Sequence, residues 1–249
     1  MDQVVYLIGG GPGDPELATL KAVRCLERAD LVLYDALVHA DLLKHARPEA
    51  ERVFVGKRAG RTYERQADIN RRLIEAARAG KVVVRLKGGD PYLFGRGSEE
   101  AEALAAAGIR FEVVPGVASP SAAAAYAGMS LTHRELSSSV AYLTATESPD
   151  KDSSSHDWSK LATATQTLVI FMGVRKLAGL MQLLIDNGRA PDCPAAVIQS
   201  ASTPAQRTIV GTVADIADKA TAAGIGMPAL TIVGEVVRLR ETLRWFDTK

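Results

Sequence analysis

The sequence predicts an α/β protein made of two domains, because strand-like and helical patterns alternate and then change character halfway along the chain. In the first half, short apolar runs alternate with helical patterns, which is typical of a parallel sheet. The segment 115–120 contains proline and glycine and has the composition of a hinge. We therefore expect a parallel-sheet domain over residues 1–117 and a mixed-sheet domain over residues 118–249.

The chain opens with a predicted strand, Val4 to Ile8, and a glycine-rich loop over 9–13. Asp14 has the character of an N-cap and Pro15 that of the first helical residue, so a helix is predicted to begin here. The loop is similar to a dinucleotide-binding loop, but Asp14 replaces its third glycine and Pro12 lacks an N–H that could hold a phosphate. A Rossmann pyrophosphate site is therefore disfavoured.

Further strands and helices complete the first domain. Strands are predicted at 31–35, 52–55, 82–86 and 111–114, and helices at 66–79 and 98–107. Asp35 ends the second strand. The sequence does not distinguish a turn or cap residue from a functional residue at this position. Three cations follow the third strand, namely Lys57, Arg58 and Arg61. Their clustering indicates either binding of an anionic ligand or a solvated loop, and the sequence does not distinguish the two.

The loop over 86–97 is the strongest site candidate, because ligands of α/β proteins bind at the carboxyl ends of strands. Gly88 and Gly89 allow close approach of the backbone, Asp90 offers a carboxylate, and Arg96 carries a fork of donors that suits carboxylates. A tight turn with a capping aspartate is the alternative.

The second half has the pattern of a mixed sheet with helices. Strands are predicted at 139–144, 167–172, 195–199, 207–213 and 229–233, and helices at 121–127, 175–187 and 213–223. The segment 146–157 is rich in serine and aspartate and predicts a mobile loop.

The composition is that of a globular protein without a general affinity for nucleic acids or anionic membranes. The 249 residues are 47% hydrophobic and 24% charged, and the formal net charge is +1. The first residues lack a signal-peptide pattern, and no run approaches about 18 apolar residues. We expect a cytoplasmic protein that binds neither nucleic acid nor membrane.

The cysteines and histidines do not predict a metal site. Cys25 and Cys193 form no paired-cysteine motif and lie among apolar or small residues, so buried free thiols are favoured. The four histidines, at 39, 45, 133 and 156, show no metal-ligand spacing. We expect no bound metal.

Several motifs occur together along the chain, at 9–15, 32–35, 55–60, 84–97, 113–117 and 131–134. In order and spacing they resemble the uroporphyrinogen-III C-methyltransferases of the tetrapyrrole methylase family, from Val4 to about Phe246. The resemblance implies two α/β domains with S-adenosylmethionine in the cleft between them, and usually a homodimer. It also implies methylation of uroporphyrinogen III to precorrin-2 by way of precorrin-1, for sirohaem, cobalamin or haem d1 synthesis.

The resemblance also implies roles for individual residues. The S-adenosylmethionine pocket would be lined by Pro12, Gly88, Gly89, Asp90, Leu93, Ala118, Ser119, Met172, Ala201, Pro228 and Ala229. Asp35 would accept a proton and Lys57 would donate one, while Arg96, Glu99, Arg134 and Met172 would contact the substrate. Arg96 is an alternative base if it is buried beside other cations. Core packing is the alternative role for Met172.

Two alternative functions stay open. The first is another methyltransferase of the same fold, acting on a later precorrin or on ribosomal RNA, although a net charge of +1 does not suggest an RNA-binding surface. The second is a non-catalytic binding module, against which the joint presence of Asp35, Lys57, Asp90 and Arg96 argues. Release of S-adenosylhomocysteine in the presence of substrate distinguishes an enzyme from such a module.

Overall fold

A computed structural model describes residues 4–56, 65–146 and 155–248 of the chain. The chain divides into two compact units, Met1–Ser119 and Pro120–Lys249, each with its own sheet. The basic loop with Lys57, Arg58 and Arg61 lies outside the described residues, as does most of the polar segment 146–157. Among the described residues, no helix has both the length and the apolar character of a membrane span.

The first unit contains a five-stranded sheet in which all neighbouring strands are parallel. Its strands are β1 Val5–Gly9, β2 Leu31–Tyr34, β3 Glu51–Phe54, β4 Val83–Lys87 and β5 Phe111–Val114. The spatial order is β3-β2-β4-β1-β5, so β4 is the central strand. The predicted parallel sheet is confirmed, and each strand end differs from its prediction by at most one residue.

Helices cover both faces of this sheet, namely α1 Leu20–Leu26, α2 Gln66–Arg78 and α3 Gly97–Ala106. Successive side chains of a strand point to opposite faces. Leu33 and Val83 therefore pack with α2 and α3, whereas Val32, Val84 and Leu86 pack with α1. Burial on both faces explains why β1 and β2 are almost continuously apolar.

The prediction of a helix that begins at Asp14 and Pro15 is correct only for its first turn. Asp14 Oδ1 accepts a hydrogen bond from the Glu16 N–H at 2.9 Å, but only a 3₁₀ turn, Pro15–Leu17, follows. Thr19 then caps α1, because its Oγ1 accepts a hydrogen bond from the Ala22 N–H at 3.1 Å. The predicted cap is therefore real, but the α-helix has a cap of its own.

The second unit contains a five-stranded mixed sheet, as predicted. Its strands are β6 Val140–Thr144, β7 Thr167–Phe171, β8 Pro194–Gln199, β9 Arg207–Thr212 and β10 Ala229–Val233. In the order β6-β7-β10-β8-β9, the pair β6 and β7 is parallel and the other neighbours are antiparallel.

The helices after β5 are α4 Ser119–Tyr126, α5 Trp158–Ala164, α6 Leu177–Asp186, α7 Ile216–Ala222 and α8 Arg240–Leu243. The short helices α5 and α8 were not predicted from the sequence. Residues of α6 and α7 pack with alternate residues of β7 and β8 in the core of this unit. Cys25 and Cys193 are free and buried, as predicted, and burial raises the pKa of both thiols.

Candidate functional site

The candidate site lies at the carboxyl edge of the first sheet, where the connections from two neighbouring strands diverge. From β2 the chain continues to β3 on one side of the sheet, and from the adjacent β4 it continues to β5 on the other. Open α/β sheets bind ligands in the crevice at such a divergence. Asp35 follows β2 and Gly88 follows β4, so both residues flank this crevice.

Three loops that follow β1, β4 and β5 meet backbone to backbone at this edge. Gly11 and Gly89 exchange hydrogen bonds, with N···O distances of 3.2 and 2.6 Å. A Cβ atom on Gly9 would lie 2.5 Å from the Gly89 carbonyl oxygen and 2.6 Å from the Gly116 nitrogen. Glycine at position 9 therefore permits a contact that any side chain would prevent, and the loops present bare backbone at the strand ends.

Asp90 uses both of its carboxylate oxygens within this arrangement. Its Oδ1 accepts a hydrogen bond from the Tyr92 N–H at 2.8 Å, and its Oδ2 accepts one from the Gly116 N–H at 3.1 Å. The side chain thus ties the loop after β4 to the loop after β5. A direct contact between Asp90 and a methyl donor stays a prediction.

The other predicted donor contacts of the first unit lie at the same edge. Pro12 follows β1, Leu93 lies in the loop after β4, and Ala118 and Ser119 follow β5. All four residues are half-buried. The fold therefore brings the predicted contacts of this unit together, although they come from three separate stretches of the chain.

Arg96 precedes α3 in a left-handed backbone conformation, and its guanidinium is exposed. Nε and Nη2 donate to the two carboxylate oxygens of Glu99 at 2.8 and 2.7 Å. These hydrogen bonds lower the pKa of Glu99. Arg96 could act as a base only if it were buried beside other cations. The side chain is instead exposed and paired with a carboxylate, so this alternative is wrong.

A cluster of buried charged side chains lies beside Asp35, on the face of the sheet that α2 and α3 cover. Arg85 and Lys87 of β4 and Glu100 of α3 are 2%, 3% and 0% exposed. Arg85 Nη2 donates to Asp35 Oδ1 at 2.6 Å, and Lys87 Nζ lies 3.7 Å from Asp35 Oδ2. Glu100 Oε1 accepts from Arg85 Nε at 2.9 Å, Lys87 Nζ at 3.1 Å and Gln66 Nε2 at 3.1 Å. The cluster therefore pairs two cations with two carboxylates.

Burial and charge act against each other within this cluster. Burial disfavours the charged guanidinium of Arg85, but the carboxylates of Glu100 and Asp35 outweigh it and raise the pKa of Arg85. Burial lowers the pKa of Lys87, and the charge of Arg85 acts in the same direction while the two carboxylates oppose it.

This cluster was not predicted from the sequence, although a signal for it exists. Arg85 and Lys87 are two residues apart in an otherwise apolar strand, so their side chains point to the same face. Two cations on a buried face require counter-charges from another element. The acidic residues of the predicted helix 98–107, which include Glu100, are candidates for these counter-charges.

In the second unit, four predicted donor contacts lie at one edge of the mixed sheet. Met172 follows β7, Ala201 follows β8, and Pro228 and Ala229 lie at the start of β10, which is antiparallel to both. The N–H of Ser200 donates to the Pro228 carbonyl at 2.9 Å. Met172 has a left-handed backbone with φ 54°. Its side chain is 49% exposed, so the alternative that it packs in the core is wrong.

Arg134 is exposed at a turn in the second unit. Backbone hydrogen bonds between His133 and Ser137, of 2.8 and 2.9 Å, close this turn. Lys57, the predicted proton donor, lies outside the described residues. Within the described ranges, no group of three or more His, Cys, Asp or Glu side chains is arranged to hold a metal ion.

Comparison with known sequences places this architecture in context. The chain matches the family model of the tetrapyrrole (corrin/porphyrin) methylases over residues 4–217. It is 49% identical over 239 residues to the S-adenosyl-L-methionine-dependent uroporphyrinogen III methyltransferase of Methanosarcina barkeri. This match covers 96% of this chain and 94% of that protein. It is 50% identical over 242 residues to the siroheme synthase of Chromobacterium violaceum, and this match covers 97% of this chain and 51% of that protein. The chain thus spans about half the length of the siroheme synthases that it matches.

Solved structures of other methyltransferases are similar to the chain. The uroporphyrin-III C-methyltransferase of Thermus thermophilus in complex with S-adenosylhomocysteine has a TM-score of 0.80 at 42% identity, over 94% of this chain and 93% of that chain. A cobalt precorrin-4 methyltransferase has a TM-score of 0.84 at 33% identity, over 94% of this chain and 96% of that chain.

Proposed function

The chain belongs to the tetrapyrrole methylase family, and we propose that it transfers methyl groups from S-adenosylmethionine to two carbons of uroporphyrinogen III. The product is precorrin-2, formed by way of precorrin-1. The observation that carries this proposal is the 49% identity to a uroporphyrinogen III methyltransferase along 94% of that protein. The glycine loops, Asp35 and Arg96, which come from the same half of the chain, supply groups that suit this chemistry.

S-adenosylmethionine supplies a methyl group that its sulfonium already activates, so the protein mainly has to bind and align the two reactants. The bare backbone at Gly88 and Gly89 suits hydrogen bonds to the amino-acid end of the donor, and Asp90 holds this loop in place. Met172 offers exposed apolar surface that suits the adenine. The remaining proposed contacts are Pro12, Leu93, Ala118, Ser119, Ala201, Pro228 and Ala229.

Uroporphyrinogen III carries eight carboxylates, so its binding surface requires cations. Arg96 and Arg134 are exposed arginines, and arginine binds carboxylates with two parallel hydrogen bonds. Glu99 orients the guanidinium of Arg96 through the hydrogen bonds of 2.8 and 2.7 Å. We propose that Arg96 and Arg134 bind propionate or acetate side chains and that Glu99 fixes the direction of Arg96.

Each methylation forms a new bond at a ring carbon, and a proton must then leave the macrocycle. The acceptor must be a base that lies within hydrogen-bond reach of the bound ring. Asp35 offers a carboxylate that is 28% exposed at the divergence between β2 and β4. We therefore propose Asp35 as the acceptor and Lys57, which comes after β3 in the sequence, as the donor of a proton.

The deciding experiment is an anaerobic incubation of the purified protein with uroporphyrinogen III and S-adenosylmethionine. Mass spectrometry follows S-adenosylhomocysteine release and the mass gain of the tetrapyrrole. The proposal predicts two methyl additions for each tetrapyrrole, in two successive steps.

A later precorrin is the second candidate substrate, because the TM-score of 0.84 to a cobalt precorrin-4 methyltransferase is as high as that to the uroporphyrin-III enzyme. Donor binding without methylation of uroporphyrinogen III would reject our proposal and favour that candidate. Methylation of ribosomal RNA is tested by the same assay with RNA as acceptor.

We also propose that the protein is a cytoplasmic homodimer that supplies sirohaem or cobalamin synthesis. The similarity to siroheme synthases and to a cobalamin-pathway methyltransferase supports these pathways. Equilibrium sedimentation of the purified protein tests the dimer, and a monomer at micromolar concentration would contradict it.

A further inference from the structure

Lys87 is a buried cation at the last position of the central strand β4. Its Nζ lies 3.1 Å from Glu100 Oε1 and 3.7 Å from Asp35 Oδ2. The neighbouring Arg85 contacts the other oxygen of Asp35, since its Nη2 lies 2.6 Å from Oδ1. The two oxygens of the Asp35 carboxylate are thus approached by two different cations from the buried side.

Glu100 holds both cations in place. A single oxygen, Oε1, accepts hydrogen bonds from Arg85, Lys87 and Gln66, whereas the buried Oε2 has no hydrogen-bond partner among the described side chains and backbone. Three donors from β4 and α2 therefore converge on one point of α3. This convergence fixes the two cations relative to the end of β2, where Asp35 begins the next loop.

Burial of charged groups is costly, and well-packed apolar residues often stabilise a core at least as well. Position 87 points to the same face as Val83, which is part of the apolar core between the sheet and α2 and α3. Stability alone would therefore be served by an apolar residue at positions 85, 87 and 100. Asp35 is the partly exposed member of the charged cluster, with 28% of its side chain accessible, and the buried cations contact it.

We propose that Lys87, anchored by Glu100, is a positioning residue for Asp35 and fixes the orientation of its carboxylate at the crevice. This inference rests on the proposed function, in which Asp35 accepts the proton released by the ring. With Arg85 at Oδ1 and Lys87 at Oδ2, rotation of the carboxylate would break a contact on each side. The Asp35 side chain, which is 28% exposed, is thereby held in one orientation.

The charged partners of Asp35 and of its two cations come from two elements. Arg85 and Lys87 belong to β4 and Glu100 belongs to α3, while α2 contributes the uncharged Gln66 to the cluster. Removal of the Lys87 charge alone would leave one cation with two carboxylates. Removal of the Glu100 charge as well would restore an equal number of each.

Two variants separate positioning from stability, namely Lys87→Met and the double variant Lys87→Met/Glu100→Gln. The single variant should melt at a lower temperature than the wild type, and the double variant should recover most of this loss because its charges balance. The turnover number should fall about a hundredfold in both variants, since misplacement of a reacting group by about 1 Å has that effect. KM for S-adenosylmethionine should change less than about twofold, because the glycine loop is intact.

Lys81→Met is the matched control. Lys81 precedes the same strand but is half-exposed, and its Nζ pairs with Glu51 at 3.1 Å, at the opposite end of β4. This variant should keep the wild-type turnover number. Recovery of turnover together with the melting temperature in the double variant would overturn the proposal, because it would show a purely structural role for Lys87.

A crystal structure of the double variant makes the test independent of turnover. We expect the Asp35 carboxylate to rotate away from its wild-type orientation or to occupy more than one position. An unchanged carboxylate would overturn the inference even if the wild type methylates uroporphyrinogen III. If instead the wild type does not methylate this substrate but Asp35 moves in the variant, the proposed function fails and the positioning by Lys87 stands.

Discussion

The contact between Gly9 and the loops after β4 and β5 leads to a prediction of two opposite effects from the same added methyl group. In Gly9→Ala, the new Cβ would lie 2.5 Å from the Gly89 oxygen, 2.6 Å from the Gly116 nitrogen and 2.7 Å from the Gly116 Cα. Ordinary contacts of a Cβ start at 3.4 Å, so these backbone atoms must move by roughly 0.9 Å. Such overpacking costs about 1–3 kcal/mol.

Gly179→Ala adds the same methyl group to helix α6, where no described atom beyond the adjacent residues and the helix's own backbone lies within 4 Å of the new Cβ. Glycine inside a helix destabilises it by about 0.5–1 kcal/mol relative to alanine. This variant should therefore be more stable than the wild type. For a chain of this size, each kcal/mol changes Tm by about 2–4 °C.

Thermal unfolding and calorimetric titration with S-adenosylhomocysteine measure both effects. Gly9→Ala should lower Tm by about 2–12 °C and weaken binding at least about tenfold, because the displaced loops include the proposed donor contacts Gly88 and Gly89. Gly179→Ala should raise Tm slightly and leave the affinity unchanged. A Gly9→Ala protein with the wild-type Tm and affinity would refute the reasoning, since the three loops would then not be in contact.

Three further predictions concern individual side chains. Asp90→Ala should weaken S-adenosylhomocysteine binding at least about tenfold, because each charge-assisted hydrogen bond that holds the loop in place contributes about 1.5–3 kcal/mol and about 1.4 kcal/mol is a factor of ten; unchanged affinity in calorimetry would contradict this. Arg96→Ala should keep the donor affinity but lower turnover of uroporphyrinogen III, and an equal loss of donor affinity in the Asp90 and Arg96 variants would count against separate roles. The pKa of Asp157 is lowered to about 2, chiefly by its hydrogen bond with Lys160, so its stabilisation is complete above its ordinary pKa of 3.8 and is lost as the pH falls toward about 2. Urea unfolding should show a stability gap between wild type and Asp157→Asn that narrows from pH 5 to pH 3, and a constant gap would argue against this ion pair.

The strands and the loops after them were predictable because they depend on local patterns. Burial on both faces makes β1 and β2 continuously apolar, and the ends of all five strands were predicted to within one residue. The mixed sheet of the second unit followed from the same apolar runs. The placement of Gly88, Asp90 and Asp35 at strand ends also followed, because a loop after a parallel strand must lie at the carboxyl edge.

The start of the first helix shows where local rules stop. Asp14 and Thr19 both satisfy the preference for an N-cap, and both accept a hydrogen bond from a backbone N–H in the structure. The α-helix uses Thr19, and Ala22, Cys25 and Leu26 then pack against the sheet. The prediction stopped at Asp14, whereas the helical residues that pack on the sheet begin only after Thr19.

The sequence by itself determined the α/β class, the sheet types, the glycine loops and the family resemblance, because these depend on residue type, spacing and order along the chain. Only the tertiary structure decided that Glu100 anchors Arg85 and Lys87, that both cations contact Asp35, and that Met172 is exposed. These contacts join β2, β4 and α3, which are separated in sequence. Their distances are set by how the helix packs on the sheet, and that packing is a property of the whole unit rather than of any one segment.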